Sequence, residues 1–224
     1  ALRAPAPAPR RKALLVVMGI LVLARVPYLL VYWPGILAFD TFRSYSFVRG
    51  IYPLDTYEPV GHTLLIGVMQ WLGPALGWGD AGAVAIGTIS VTLVSSAAFA
   101  FMLSRMAVWD LRPGIWAAAF AWVTLLPIFG MYSVHLIKDV PFSIAMVVFL
   151  TCVGELSLGR RESARKLGPW VILTIAGIFA VILRNNGIHV KALTLPLLLI
   201  PLHHAWRQIL VVSGALAAAY ALYV

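Results

Sequence analysis

Between Trp33 and His62 the chain reads WPGILAFDTFRSYSFVRGIYPLDTYEPVGH and carries Asp40, Arg43, Arg49, Asp55, Glu58 and His62. Apolar sequence flanks this run on both sides, yet it gathers three of the eight acidic residues in the chain. Charge beside a bilayer is costly and is usually kept for a task. Asp40 is the candidate general base, because a carboxylate partly desolvated at a membrane surface gains basicity. It precedes TFRSYSFVRG, a short aromatic-rich interfacial helix closed by Gly50. Capping that helix is the alternative role for Asp40. Glu58 and His62 stand four residues apart, a spacing that puts two side chains on one helical face, and both are further catalytic candidates. For His62 the alternative is a structural hydrogen bond.

Two distant segments offer the complementary charges. In His135-Leu136-Ile137-Lys138-Asp139-Val140-Pro141, Lys138 suits an anionic substrate group, with Asp139 orienting it or binding a cation. The alternative is a helix-start aspartate beside a snorkelling lysine. In Arg184-Asn185-Asn186-Gly187, Arg184 and Asn185 before a helix N-terminus suit phosphate oxygens, with an ordinary interfacial turn as the alternative. Arg25 and Lys191 lie inside apolar runs, where they snorkel or line a polar cavity. The five histidines show no paired metal-ligand spacing. The chemistry requires no certain cofactor, and a divalent cation bridging Asp40 and Asp139 stays an open alternative.

What must position these groups is a membrane bundle. Of 224 residues, 62% are hydrophobic and 11% charged, with mean hydropathy +0.93. Soluble domains hold about 45–50% apolar and about 25% charged residues. The composition therefore predicts an all-α polytopic transmembrane bundle. The net charge of +9 comes in short clusters between apolar runs, such as Arg10-Arg11-Lys12 and Arg160-Arg161, which reads as cytoplasmic loops rather than a nucleic-acid surface. Cys152 is the only cysteine and packs as a small apolar side chain. Residues 1–12 read as a disordered cytoplasmic tail, and the run from Ala13 to Tyr32 as a retained anchor. With no initiator Met and an apolar run at its end, the chain reads as a piece of a longer protein truncated at the C-terminus.

About seven spans are expected, near 13–32, 82–104, 113–133, 140–158, 169–184, 188–203 and 208–224, with residues 33–81 as the first outer loop. The run at 60–76 is short, carries His62 and Gln70, and is broken at Gly73-Pro74. If it does not cross, the basic residues divide eleven inside against four outside; if it crosses, six against nine. The positive-inside rule favours the first arrangement, so 60–76 reads as an outer-face interfacial or re-entrant helix. The protein then sits in the plasma membrane with a cytoplasmic N-terminus and an outer-face site.

The order W-P-G-x-L-x-x-D, P-x-x-H-T-L-L, K-D-x-P-F and L-R-N-N-G, spread from Ala13 to Leu198, resembles the GT-C superfamily of integral-membrane glycosyltransferases. The likeness is to its bacterial polyprenyl-phosphate-sugar-dependent branch, and more distantly to protein O-mannosyltransferases and lipid A aminoarabinose transferases. The resemblance implies a transmembrane GT-C-like catalytic module over 13–224. It moves sugar from a polyprenyl-phosphate donor to a glycan, lipid or protein acceptor hydroxyl, with membrane lipid around it and no nucleic acid. Asp40 matches the acidic residue of the first outer loop, Pro59 and His62 the start of the following helix, and Asp139 a second acidic position. Glu58 departs from the pattern, since relatives tend to have His before the proline. A lipid-linked-sugar flippase or secondary transporter is the competing reading, although the chain shows no internal repeat.

Overall fold

The computed structural model describes residues 11–53, 58–107, 109, 111–158, 166–184, 186–197, 200 and 202–222. It is all-helical, with no strand among these residues and one isolated parallel bridge, Ile36 with His135. The first apolar run forms α1 (Arg11–Val31), starting just before the expected anchor. The chain then turns through a cis Trp33–Pro34 peptide and Gly35. Gly35 has φ +145°, and a Cβ there would lie 2.0 Å from Thr88 Oγ1, so only glycine fits this turn. The aromatic-rich segment forms α2 (Phe39–Val48), with the chain reversing at Gly50. Next come α3 (Val60–Ala75), α4 (Gly79–Met106), α5 (Pro113–Leu125) and α6 (Pro127–Ser133). They are followed by α7 (Asp139–Leu158), α8 (Leu167–Leu183), α9 (Gly187–Leu197), a turn at His203–Ala205, and α10 (Trp206–Ala221).

Among the described residues three helices, α1, α4 and α7, are long and apolar enough to cross a membrane. The α5–α6 pair, bent by 51°, makes a fourth if it counts as one span. Pro127 causes the break: it cannot donate to the preceding turn. The other expected spans are helical but short. At 1.5 Å per residue, α8, α9 and α10 reach about 26, 16 and 24 Å, against a hydrocarbon core of about 30 Å. Leu15, Val16, Leu23 and Leu30 on α1 are each more than half exposed, an outward apolar surface that suits lipid.

Among the described residues three apolar clusters hold the bundle, the smallest of them Ala145 of α7 with Ala180 and Leu183 of α8. Leu21 of α1, Ala100 and Leu103 of α4 and Val123 of α5 form another. Phe149, Cys152 and Leu156 of α7, with Trp170 and Leu173 of α8 and Leu216 of α10, form the largest. On α4 the buried face is built of small residues, including Gly82, Ala83, Gly87, Thr92 and Ser96, which let neighbouring backbones approach.

Helix directions set the ends of the bundle. Leu136, just before α7, would meet a Cβ on Gly87 near the start of α4, and Arg105 pairs with Glu155 at 3.3 Å near both C-termini. So α4 and α7 run parallel. Helix α8 returns, bringing Arg184 back to Asp139. Helix α3 lies across the end where α4 and α7 start. A Cβ on its Gly61 would sit 2.7 Å from Ile182 O near the end of α8, and one on Gly73 would sit 2.6 Å from Gly79 O at the start of α4. Both tips of α3 thus touch the same end of the bundle.

Candidate functional site

That end gathers the charges. Asp40 lies in the first turn of α2, which positions it against the segment before α7. Ala38, not Asp40, occupies the cap position, so the capping alternative does not apply. Lys138 Nζ stands 3.2 Å from Asp40 Oδ2 and 3.2 Å from Glu58 Oε2, with a second contact to Glu58 Oε1 at 3.4 Å. The Glu58 side chain is fully buried, while Asp40 keeps 24% of its side-chain surface. One ammonium therefore serves two carboxylates, one shut in and one open to water.

Burial pushes the Glu58 carboxyl above its ordinary range, against the pull of Lys138, while the nearby Asp40 charge raises it further. Burial also pushes the Lys138 ammonium down, but its two carboxylate partners more than offset this and leave it above the ordinary lysine range. The next residue makes a second pair. Asp139 Oδ1 lies 2.5 Å from Arg184 Nη1, a contact of charge rather than an aligned hydrogen bond. Arg184 also lies over the Phe142 ring at 5.4 Å, and its side chain is 41% exposed. Asn185 and Asp55 lie outside the described residues.

His62 does not face the open side. Its Nδ1 is 2.9 Å from Ser44 Oγ and its Nε2 is 3.3 Å from Leu136 O. A carbonyl only accepts, so Nε2 carries the proton and Nδ1 accepts from Ser44. Burial pushes the imidazole below its ordinary range, with the Leu136 carbonyl opposing. Thr41 Oγ1 donates to the same carbonyl at 2.6 Å. The imidazole thus ties α2, α3 and the segment before α7 together. Ile36 strengthens that join: its N–H donates to Val134 O at 2.9 Å, and its carbonyl accepts from Leu136 N at 3.0 Å.

A third group escaped the reading of the sequence. Arg49 pairs with Asp80 at 2.5 Å and donates to Gln70 at 3.0 Å, while Tyr45 O–H donates to Asp80 at 3.0 Å. The available signal was Tyr45 on α2 and Arg49 at its C-cap, spaced i,i+4, with Asp80 in the first turn of α4. Ser44 carried no comparable signal. Beside α2 an open groove of about 960 Å³, counting the solvent in its mouth, is lined by Phe39, Phe42, Arg43, Phe47 and Tyr52.

Asp40 and Asp139 each face a cation, and no grouping of three or more metal-ligating side chains occurs among the described residues. Arg25 and Lys191, expected to snorkel or line a cavity, are instead 2% and 0% exposed. The arrangement offers an accessible carboxylate held against a lysine, an exposed arginine paired with the residue after that lysine, and an aromatic groove at the helix that carries the carboxylate. Residues 53–220 match a family described as a family of unknown function (DUF6020), and the chain belongs to that family. No curated protein and no solved structure matches it.

Proposed function

We propose that this member of the DUF6020 family is a GT-C-like membrane glycosyltransferase of about seven spans. It moves a sugar from a polyprenyl-phosphate donor to an acceptor hydroxyl at the outer membrane face. The observation that carries the reading is the contact of Asp40 and Glu58, from the run before α3, with Lys138, 80 or more positions further along the chain, at one end of an apolar bundle. Asp40 takes the acceptor proton. Arg184, with Lys138, offsets charge on the departing phosphate, and such charge stabilisation matters more than acid help because phosphate already leaves well. Glu58 holds Lys138 and His62 holds α2, so both act on the geometry of Asp40. The groove beside α2 accommodates the apolar donor tail.

Transport is the second reading, favoured by one observation: the 51° break between α5 and α6, since transporters use discontinuous helices. Proteoliposomes loaded with a radiolabelled polyprenyl-phosphate sugar separate the two. Label moving onto an acceptor supports the transferase, whereas flux of intact donor without transfer supports the transporter. The outer-face placement is tested by cysteines at Trp78, Asn186 and Arg112, all exposed positions. Labelling from outside at 78 and 186 but not 112 fits; the reverse places the site inside.

A further inference from the structure

At the end of the bundle one cation answers two carboxylates, so Asp40, Lys138 and Glu58 together carry a surplus negative charge. Lys138 Nζ is 3.2 Å from Asp40 Oδ2 and 3.2 Å from Glu58 Oε2. An ammonium has three N–H donors and can donate to both carboxylates at once. Two carboxylates that share a site do not hold their charges equally, and one of them takes a proton first. Burial decides which. A proton on Asp40 leaves Glu58 charged with none of its side chain open to water. A proton on Glu58 leaves the charge on Asp40, which keeps 24% of its side-chain surface. An ionised carboxylate is far costlier enclosed than partly wet.

The neighbouring charges do not reverse this order. Burial is the largest influence on Glu58 and raises its carboxyl; Lys138 and Arg43 pull it down, Asp40 pushes it up, and it ends above its ordinary range. Asp139 faces Arg184, and the imidazole of His62 on α3 is engaged by Ser44 and Leu136 O, so neither serves the cluster as a second base.

We propose that Glu58 is the proton store of the site: the proton that Asp40 takes from the acceptor passes through Lys138 to Glu58. The origin of that proton rests on the transferase reading; where it comes to rest does not. The acceptor O–H bond breaks and its hydrogen joins Asp40. Asp40 then hands a proton to Lys138 Nζ as Nζ hands one of its own to Glu58 Oε2. The ammonium keeps its charge, Glu58 becomes the neutral acid, and Asp40 is again a carboxylate. Glu58 acts through Lys138, so it is a positioning residue rather than the base.

The test is infrared difference spectroscopy on the full chain in nanodiscs, reading the C=O stretch of carboxylic acid as pH is lowered from 7 without donor or acceptor. The cluster's acid band is expected in wild type and lost in Glu58→Gln. In Asp40→Asn it should persist but move to lower pH, because a neighbouring negative charge has gone. If Glu58→Gln loses no band, or Asp40→Asn abolishes the band, the store is overturned. Should Glu58→Gln fail to fold, protein carrying isotope-labelled glutamate decides: the band must move with the label and titrate lower in Asp40→Asn, and failure of either contradicts the store. Donor and acceptor are then added to wild type, and the same band should rise and decay within the turnover. Transfer without it overturns the relay. No transfer, with the pH-induced band intact, counts against the transferase reading and leaves the store standing.

Discussion

The bundle treats charge differently at its end and in its middle. At the end spanned by α3, cations meet carboxylates: Lys138 meets Asp40 and Glu58, Arg184 meets Asp139, and Arg49 meets Asp80. In the middle, Arg25 and Lys191 are buried, and no carboxylate among the described residues pairs with either. Lys191 Nζ donates to Gly187 O at 2.8 Å and lies 5.8 and 5.6 Å from the Phe142 and Phe149 rings. The difference shows two ways of keeping a cation in an apolar protein. At the end, carboxylates from other segments neutralise it, so the charges also fasten segments together. In the middle, a hydroxyl, a carbonyl and aromatic rings stand beside the cation instead.

Breaking the shared pair should cost most. Lys138→Met leaves Asp40 and Glu58 facing each other with Glu58 fully buried. Removing one partner of a buried pair typically costs about 3–5 kcal/mol. Denaturant unfolding should show a loss of that order, and a Glu58→Gln, Lys138→Met double variant should recover part of it. No recovery would mean that the buried carboxylate is not what the lysine neutralises.

Next is the seam between α3 and α8. Gly61→Ala pushes a methyl onto the Ile182 carbonyl, and overpacking of this kind costs about 1–3 kcal/mol. The matched control is Gly50→Ser, whose added atoms meet open space, so its effect comes only from the positive φ. If Gly61→Ala melts with the wild type, α3 does not lie against α8 as described.

His62 gives a pH signature. Its folded-state pKa lies below 6.5, so as pH falls through 6.5 the unfolded chain takes up a proton before the folded chain does. Stability contributed by the neutral ring is full above that value and declines below it. Glu58 acts in the opposite sense, because its raised pKa makes the folded chain the better proton binder on acidification. The difference between wild type and His62→Asn isolates the histidine: the wild type should lose more stability from pH 7 to pH 5. Parallel curves would count against the Ser44 and Leu136 contacts. The smallest effect belongs to Asp80→Asn. Its pair with Arg49 is largely exposed, 44% and 59% by side chain, and such pairs give about 0–1 kcal/mol.

The contrast between end and middle was only partly legible in the sequence. Asp40, Glu58, Lys138, Asp139 and Arg184 stood out because charge is rare among the apolar runs, and loop charge indicated that 60–76 stays on one side. Hydropathy could not show that Glu58 shares Lys138 with Asp40, because that contact joins residues 80 positions apart. His62 was visible as a polar residue but not as the link between Ser44 and Leu136, since both partners are ordinary residues. The helices α8 and α10 nearly match the lengths expected for 169–184 and 208–224, whereas α9 covers Gly187–Leu197 of the run expected at 188–203. Arg25 and Lys191 looked like candidates for snorkelling, which neither does, because helix packing rather than depth decides their burial.

The central claim is that Asp40 takes the acceptor proton at this charged end. Asp40→Asn, reconstituted beside wild type and matched for melting temperature and donor binding, tests it through the rate of sugar transfer from a radiolabelled polyprenyl-phosphate donor. Loss of a positioned base predicts a fall of about 10²–10⁴-fold with binding retained. Transfer at near wild-type rate would contradict the assignment.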